Sequence, residues 1–184
     1  KHALAQEAAY ESTLIQRRKA LHHKVARSIE KVFRGRIHEF YGMLAFHYSK
    51  ADDLEKAEEY MVKAGEEALR SSASSEALHY FQEALQLYLT KYGQDADVEK
   101  LADFEKNIGI ALFNKAKWEE AIKYLDSVLE RWGAPLPKRG FFGMLRLAFH
   151  MLVMMKMIYV KFPNSNNIPG DRDKEIFELF YKAS

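Results

Sequence analysis

Three stretches of this 184-residue chain place residues of matching size at matching intervals. The first reads Leu44-Ala45, Tyr48, Ala57, Met61, Ala64. The second reads Ala64-Gly65, Ala68, Ala77, Phe81, Ala84, and the third Ile108-Gly109, Leu112, Ala121, Leu125, Val128. Counted from its first residue, each copy has positions +1, +4, +13, +17 and +20. Such spacing suits a helical hairpin: a small residue on the first helix lets the second approach, a small residue on the second returns the contact, and large residues fill between. The second copy begins inside the first, so one helix closes a hairpin and opens the next, and the array is irregular. Small residues at these intervals also occur in any close-packed helical bundle. Either way the expected fold class is all-α.

Apolar residues recur at three and four positions along the chain, and no run alternates with period two. Start and stop signals place helices at about 3–9, 11–33, 38–50, 53–70, 75–92, 97–115, 117–132, 140–161 and 172–183. Asp52 or Asp53 is expected to cap the fourth, with Glu55 reaching back. Asp95 or Asp97 starts the sixth, Gly35 and Gly93 mark stops, and all 4 Pro fall in two connectors, Pro135/Pro137 and Pro163/Pro169. Short connections make consecutive helices antiparallel neighbours, and the expected architecture is an irregular α-solenoid of antiparallel helical hairpins.

Charge is zoned. Residues 1–37 hold nine Lys/Arg against three acids, residues 52–67 are mainly acidic, and no acid lies between Glu130 and Asp171. With 0 Cys there is no disulfide framework or thiolate chemistry, and the reducing cytoplasm is the expected compartment.

The interval template resembles the tetratricopeptide repeat, the third copy most closely: "KAKWEEAIKYLDSVLE" (115–130) carries the turn, the aromatic Trp118, which joins the packing residues, and the Glu-Glu-Ala run of that repeat's second helix. The opening "KHALAQEAAYESTLIQRRKALHHKVARSIE" resembles a junction in multidomain signalling ATPases of the STAND class, those accompanying adenylate/guanylate cyclase domains or acting as bacterial regulators. The matching residues are Lys1-His2, Gln6, Glu7, Ala8, Ala9, Tyr10, Arg17, Arg18, Leu21, His22 and Ile29-Glu30, with further likeness over 47–85 and in "GAPLPK" (133–138). The resemblance implies an interior segment: residues 1–36 as the tail of a winged-helix module and a linker helix, 37–134 as tetratricopeptide-like repeats, and 135–184 as an apolar helix and the start of a further hairpin. It also implies that His2 matches a histidine facing nucleotide phosphates, so that ATP or ADP belongs to the parent protein and no cofactor to this segment.

Residues for chemistry are not arranged for it. The 9 Gly are scattered and make neither a phosphate-binding loop nor a dinucleotide fingerprint. The 7 His (2, 22, 23, 38, 47, 79, 150) contain no pair spaced by three or four, so helix-surface or packing roles are expected and metal ligation is not. The carboxylate pairs Glu58/Glu59, Glu66/Glu67 and Glu119/Glu120 interleave with Lys as on a solvated face. No enzyme emerges.

Two surfaces remain. The basic helix 11–36 lacks aromatic interleaving for base stacking, so an acidic protein neighbour is favoured over nucleic acid. The stretch 141–162, apolar and Met-rich, is interrupted by Arg146, His150 and Lys156; the interior of the array is favoured, then a partner's groove, then the membrane interface. The expected function is a protein–protein interaction or sensor scaffold for a protein or peptide partner, or for adjacent domains. The alternatives are a connector inside an ATPase or nucleotide cyclase, or a peripheral membrane or nucleic-acid binder.

Overall fold

The computed structural model describes residues 14–134, Leu152 and 170–183. Seven α-helices occur among them: α1 (Ile15–Val32), α2 (Tyr41–Lys50), α3 (Leu54–Arg70), α4 (Ser74–Tyr92), α5 (Val98–Asn114), α6 (Trp118–Arg131) and α7 (Asp171–Ala183). No strand occurs among the described residues, and the fold is all-α. The expected helices at 3–9 and 140–161 lie outside the described residues. The chain divides into two compact units, one ending at Asp97 and one beginning at Val98.

In the first unit α1, α2, α3 and α4 pack consecutively, and in the second α5 packs on α6 and α6 on α7. The long first helix stops earlier than its sequence suggests. Beyond Val32 the chain tightens into a 3₁₀ turn over Arg34–Phe40, broken at Arg36 (φ −140°, ψ 38°). Phe33 stacks on Phe40 with ring centroids 4.1 Å apart, and Arg36 sits over the Phe33 ring. That stack draws the two ends of the turn together, so α2 begins at Tyr41 rather than near His38.

Three connections, 51–53, 71–73 and 115–117, join α2 to α3, α3 to α4 and α5 to α6. Each is built alike. The middle residue is left-handed: Asp52 (φ 65°), Ser72 (φ 61°) and Ala116 (φ 57°). The next residue's N–H reaches back five positions to close the helix end, Asp53 to Tyr48 (3.0 Å), Ala73 to Ala68 (2.8 Å) and Lys117 to Leu112 (3.0 Å). This 6→1 bond satisfies carbonyls that a helix C-terminus otherwise leaves open. In template numbering the left-handed residue is always +8 and the accepting carbonyl always +4.

Asp53 is the cap of α3: its side chain accepts from the Lys56 N–H at 3.2 Å. Glu55 does not reach back. With Asp53 as the cap it stands at the second helical position, whereas the reciprocal bond needs an acid at the third, which is Lys56. Glu55 instead lies 3.7 Å from Lys91.

Candidate interaction surface

Every residue of the three interval copies is buried, from Leu44 and Ala45 through Ala64, Gly65 and Ala68 to Leu125 and Val128. The +1 and +17 positions mark where two helices come closest. A methyl group added at Gly65 would lie 2.7 Å from the Phe81 ring, and one added at Gly109 would lie 2.6 Å from Leu125 Cδ2. Only a residue without Cβ permits that approach beside a ring or a branched side chain; the first copy has Ala45 at +1 and the unbranched Met61 at +17. Tyr80 of α4 lies over Gly42 of α2, so α4 also reaches the helix two before it.

Trp118, grouped above with the packing residues, is 52% exposed. As the first residue of α6 it turns outward and meets Phe113 edge-on, with centroids 4.8 Å apart, covering the hairpin turn rather than filling the core. His2 lies outside the described residues.

The packing between α1, α2 and α3 is polar and aromatic. Tyr60 donates to Glu30 at 2.6 Å, and Tyr48 stacks in parallel on Tyr60 with centroids 5.6 Å apart. Burial, together with the Glu30 carboxylate facing both hydroxyls, pushes both phenols well above the usual tyrosine range. His23 stands edge-on to Tyr48 and lies 3.6 Å from Asp53. His22 and His47 approach Nδ1 to Nδ1 at 2.9 Å, which requires one ring to donate and the other to accept. Burial lowers both imidazoles, helped at His22 by Lys50 and at His47 by His22. None of these 25- to 30-residue-distant pairings has a local sequence signal.

Of the carboxylate pairs expected on a solvated face, Glu58 is instead buried, on a helix packed by both α2 and α4, and the other five are exposed or half-buried. Glu59 is gripped by Lys63 (2.6 Å) and Lys56 (2.9 Å); burial works to raise its pKa, but these two bonds outweigh it and the net shift is downward. Glu67 pairs with Arg70 and Glu120 with Lys117. Among the described residues no group of three His, Asp or Glu is placed to hold a metal, and no helix is long and apolar enough to cross a membrane.

One outward side of α1 in the first unit carries positive charge. Two adjoining shallow depressions of about 750 and 720 Å³ run along α1 and share Lys24 and Arg27; Lys19 and His23 line one, Lys31 and Arg34 the other. Lys19 is tied to Asp52 at 2.6 Å. Among the described residues no carboxylate lies within ion-pair distance of Lys24, Arg27, Lys31 or Arg34. The second unit packs on an aliphatic cluster of Ala102, Leu125, Val128, Leu129 and Leu179, with Lys106 and Arg172 over the Trp132 ring at its edge. No family model matches the chain, and no curated protein matches it.

Proposed function

We propose that this chain is a tetratricopeptide-like array of helical hairpins serving as a protein–protein interaction or sensor scaffold, non-catalytic by itself, within a larger signalling ATPase of the STAND class. The observation that carries the scaffold reading is the recurrence of one hairpin design: the same left-handed residue at +8, the same closing bond to +4, and the same close approach at +1 and +17 in Gly65/Phe81 and Gly109/Leu125. Repeated hairpins of this kind supply contact area at low cost, since each unit is stabilised by its neighbours. The helix-surface pairing of Glu59, Glu67 and Glu120 is consistent with a binding role. The assignment to a STAND-class parent rests on the sequence resemblance.

Partner binding to the array would bias its packing against the nucleotide-binding module of the parent. Nucleotide exchange measured in the parent protein, with and without this segment, tests the reading. A changed exchange rate on deletion is expected; an unchanged rate contradicts it.

A further inference from the structure

Helix α1 has three faces. Ala26 and Ile29 are buried against the unit. About a quarter-turn round the helix from these, Leu21, Val25 and Val32 are 50%, 41% and 70% exposed, and Leu14, the residue before the helix, is 79% exposed. Isolated exposed aliphatics are common, but the three within α1 recur at intervals of four and seven, which at 100° per residue puts them on one narrow line about 16 Å long. That is the spacing of a coiled-coil seam, with Leu21 in one heptad position and Val25 and Val32 in the other. Arg17, Lys24 and Lys31, also seven apart, form an exposed row along one flank of the seam, the position from which a coiled-coil helix pairs ionically with its partner. Among the described residues no carboxylate neutralises this row.

We propose that this seam is a docking site for an amphipathic helix of a protein partner, apolar along its own seam and acidic on its flanks. The proposal rests on the scaffold reading above and names the partner's chemistry. Charge complementarity selects the occupant. A second copy docking antiparallel through α1 would set one basic row against another. Nucleic acid would leave the aliphatic line uncovered, and the two aromatics beside it are engaged, Phe33 stacked on Phe40 and Phe46 edge-on to His22. A membrane-surface helix needs a wide apolar face with aromatic anchors, whereas this line is two residues wide and purely aliphatic.

The test uses the 184-residue chain and two labelled synthetic helices about three heptads long with Leu at both seam positions, one carrying Glu and one Lys at the flanking positions, followed by fluorescence anisotropy. The Glu probe is expected to bind at least about tenfold more tightly than the Lys probe. Leu21→Asp should weaken it by about tenfold or more, with circular dichroism unchanged because Leu21 is exposed. The double change Lys24→Glu/Lys31→Glu alters surface charge alone and should reverse the preference towards the Lys probe. Equal binding of the two probes, or insensitivity to both variants, overturns the proposal. So does a dimer in sedimentation that Leu21→Asp dissociates, or binding to phosphatidylserine vesicles or an oligonucleotide that exceeds binding to the Glu probe. Because nucleotide exchange in the parent is read separately, failure here with exchange still dependent on the segment removes the seam and leaves the scaffold.

Discussion

The hairpins of the first unit and the hairpin of α5 and α6 share turn and crossing geometry yet enclose different matter. Between α1, α2 and α3 lie Glu30, Tyr48, Tyr60, His22 and His47, held by hydrogen bonds and ring stacking. Between α5, α6 and α7 lie Ala102, Leu125, Val128, Leu129 and Leu179, held by aliphatic contact. The small residues thus fix how closely two backbones approach and where the chain turns, while the larger residues between them are free to be polar or apolar. Only the polar filling couples packing to pH.

The crossing pairs give the largest effects. Phe81→Ala removes a fully buried ring and is expected to cost about 4 kcal/mol, against about 3 kcal/mol for Leu125→Ala at the same template position; urea unfolding of the full chain measures both. If the two costs were both under 1 kcal/mol, +17 would not be a packing position in either unit.

Next in size is the glycine at +1. Gly65→Ala is expected to lose about 2 kcal/mol, because Phe81 is fully buried and cannot move aside, although alanine is the better helix former. Gly109→Ala should cost less than Gly65→Ala, since a leucine side chain can change rotamer where a ring cannot. A reversed order would separate the two crossings.

The turns predict a gain. Ala116 holds a left-handed conformation that costs an L-residue about 1 kcal/mol and costs glycine little, so Ala116→Gly should stabilise the second unit by up to that amount, offset in part by the greater freedom of glycine in the unfolded chain. Asp52→Gly should gain less, because aspartate tolerates this region better and Asp52 holds Lys19. Thermal melting of the two variants ranks them.

The smallest effect is the one that separates the fillings. His22 and His47 have lowered pKa values in the fold, so below the ordinary histidine value of about 6.5 the unfolded chain takes up protons that the folded one resists. Stability is therefore full above that pH and falls as pH drops through it, still above the range in which Glu59 protonates. His47→Gln should flatten the urea midpoint between pH 7 and about 5.5. An equally steep slope in the variant would show that the imidazole pair does not carry it.

Sequence alone reveals the interval template because a helix crossing is a one-dimensional pattern: a small residue must recur where backbones meet, and Gly65 and Gly109 do so openly. The turns are hidden, since Asp52, Ser72 and Ala116 share a backbone angle and no chemistry, and none is the glycine that usually marks a left-handed residue. Trp118 misleads for a related reason. A large aromatic beside a template looks like core, but the first residue of a helix projects over the turn instead. Glu30 and Tyr60 meet only because α1 and α3 are both brought against α2, so their pairing depends on the whole unit. The α1 seam is hard to see in the sequence because the cations Arg17, Lys24 and Lys31 recur at the same heptad spacing beside it.

The close approach of Gly65 to Phe81 is the geometric core of this account, and a double-mutant cycle measures it. Unfolding free energies of the parent chain, Gly65→Ala, Phe81→Leu and the combined variant should show that the smaller, more pliable leucine recovers most of the loss from the added methyl group, with a coupling energy of about 1–2 kcal/mol. Additive costs, with coupling within about 0.3 kcal/mol of zero, would mean that the two side chains do not meet and would contradict the hairpin packing described.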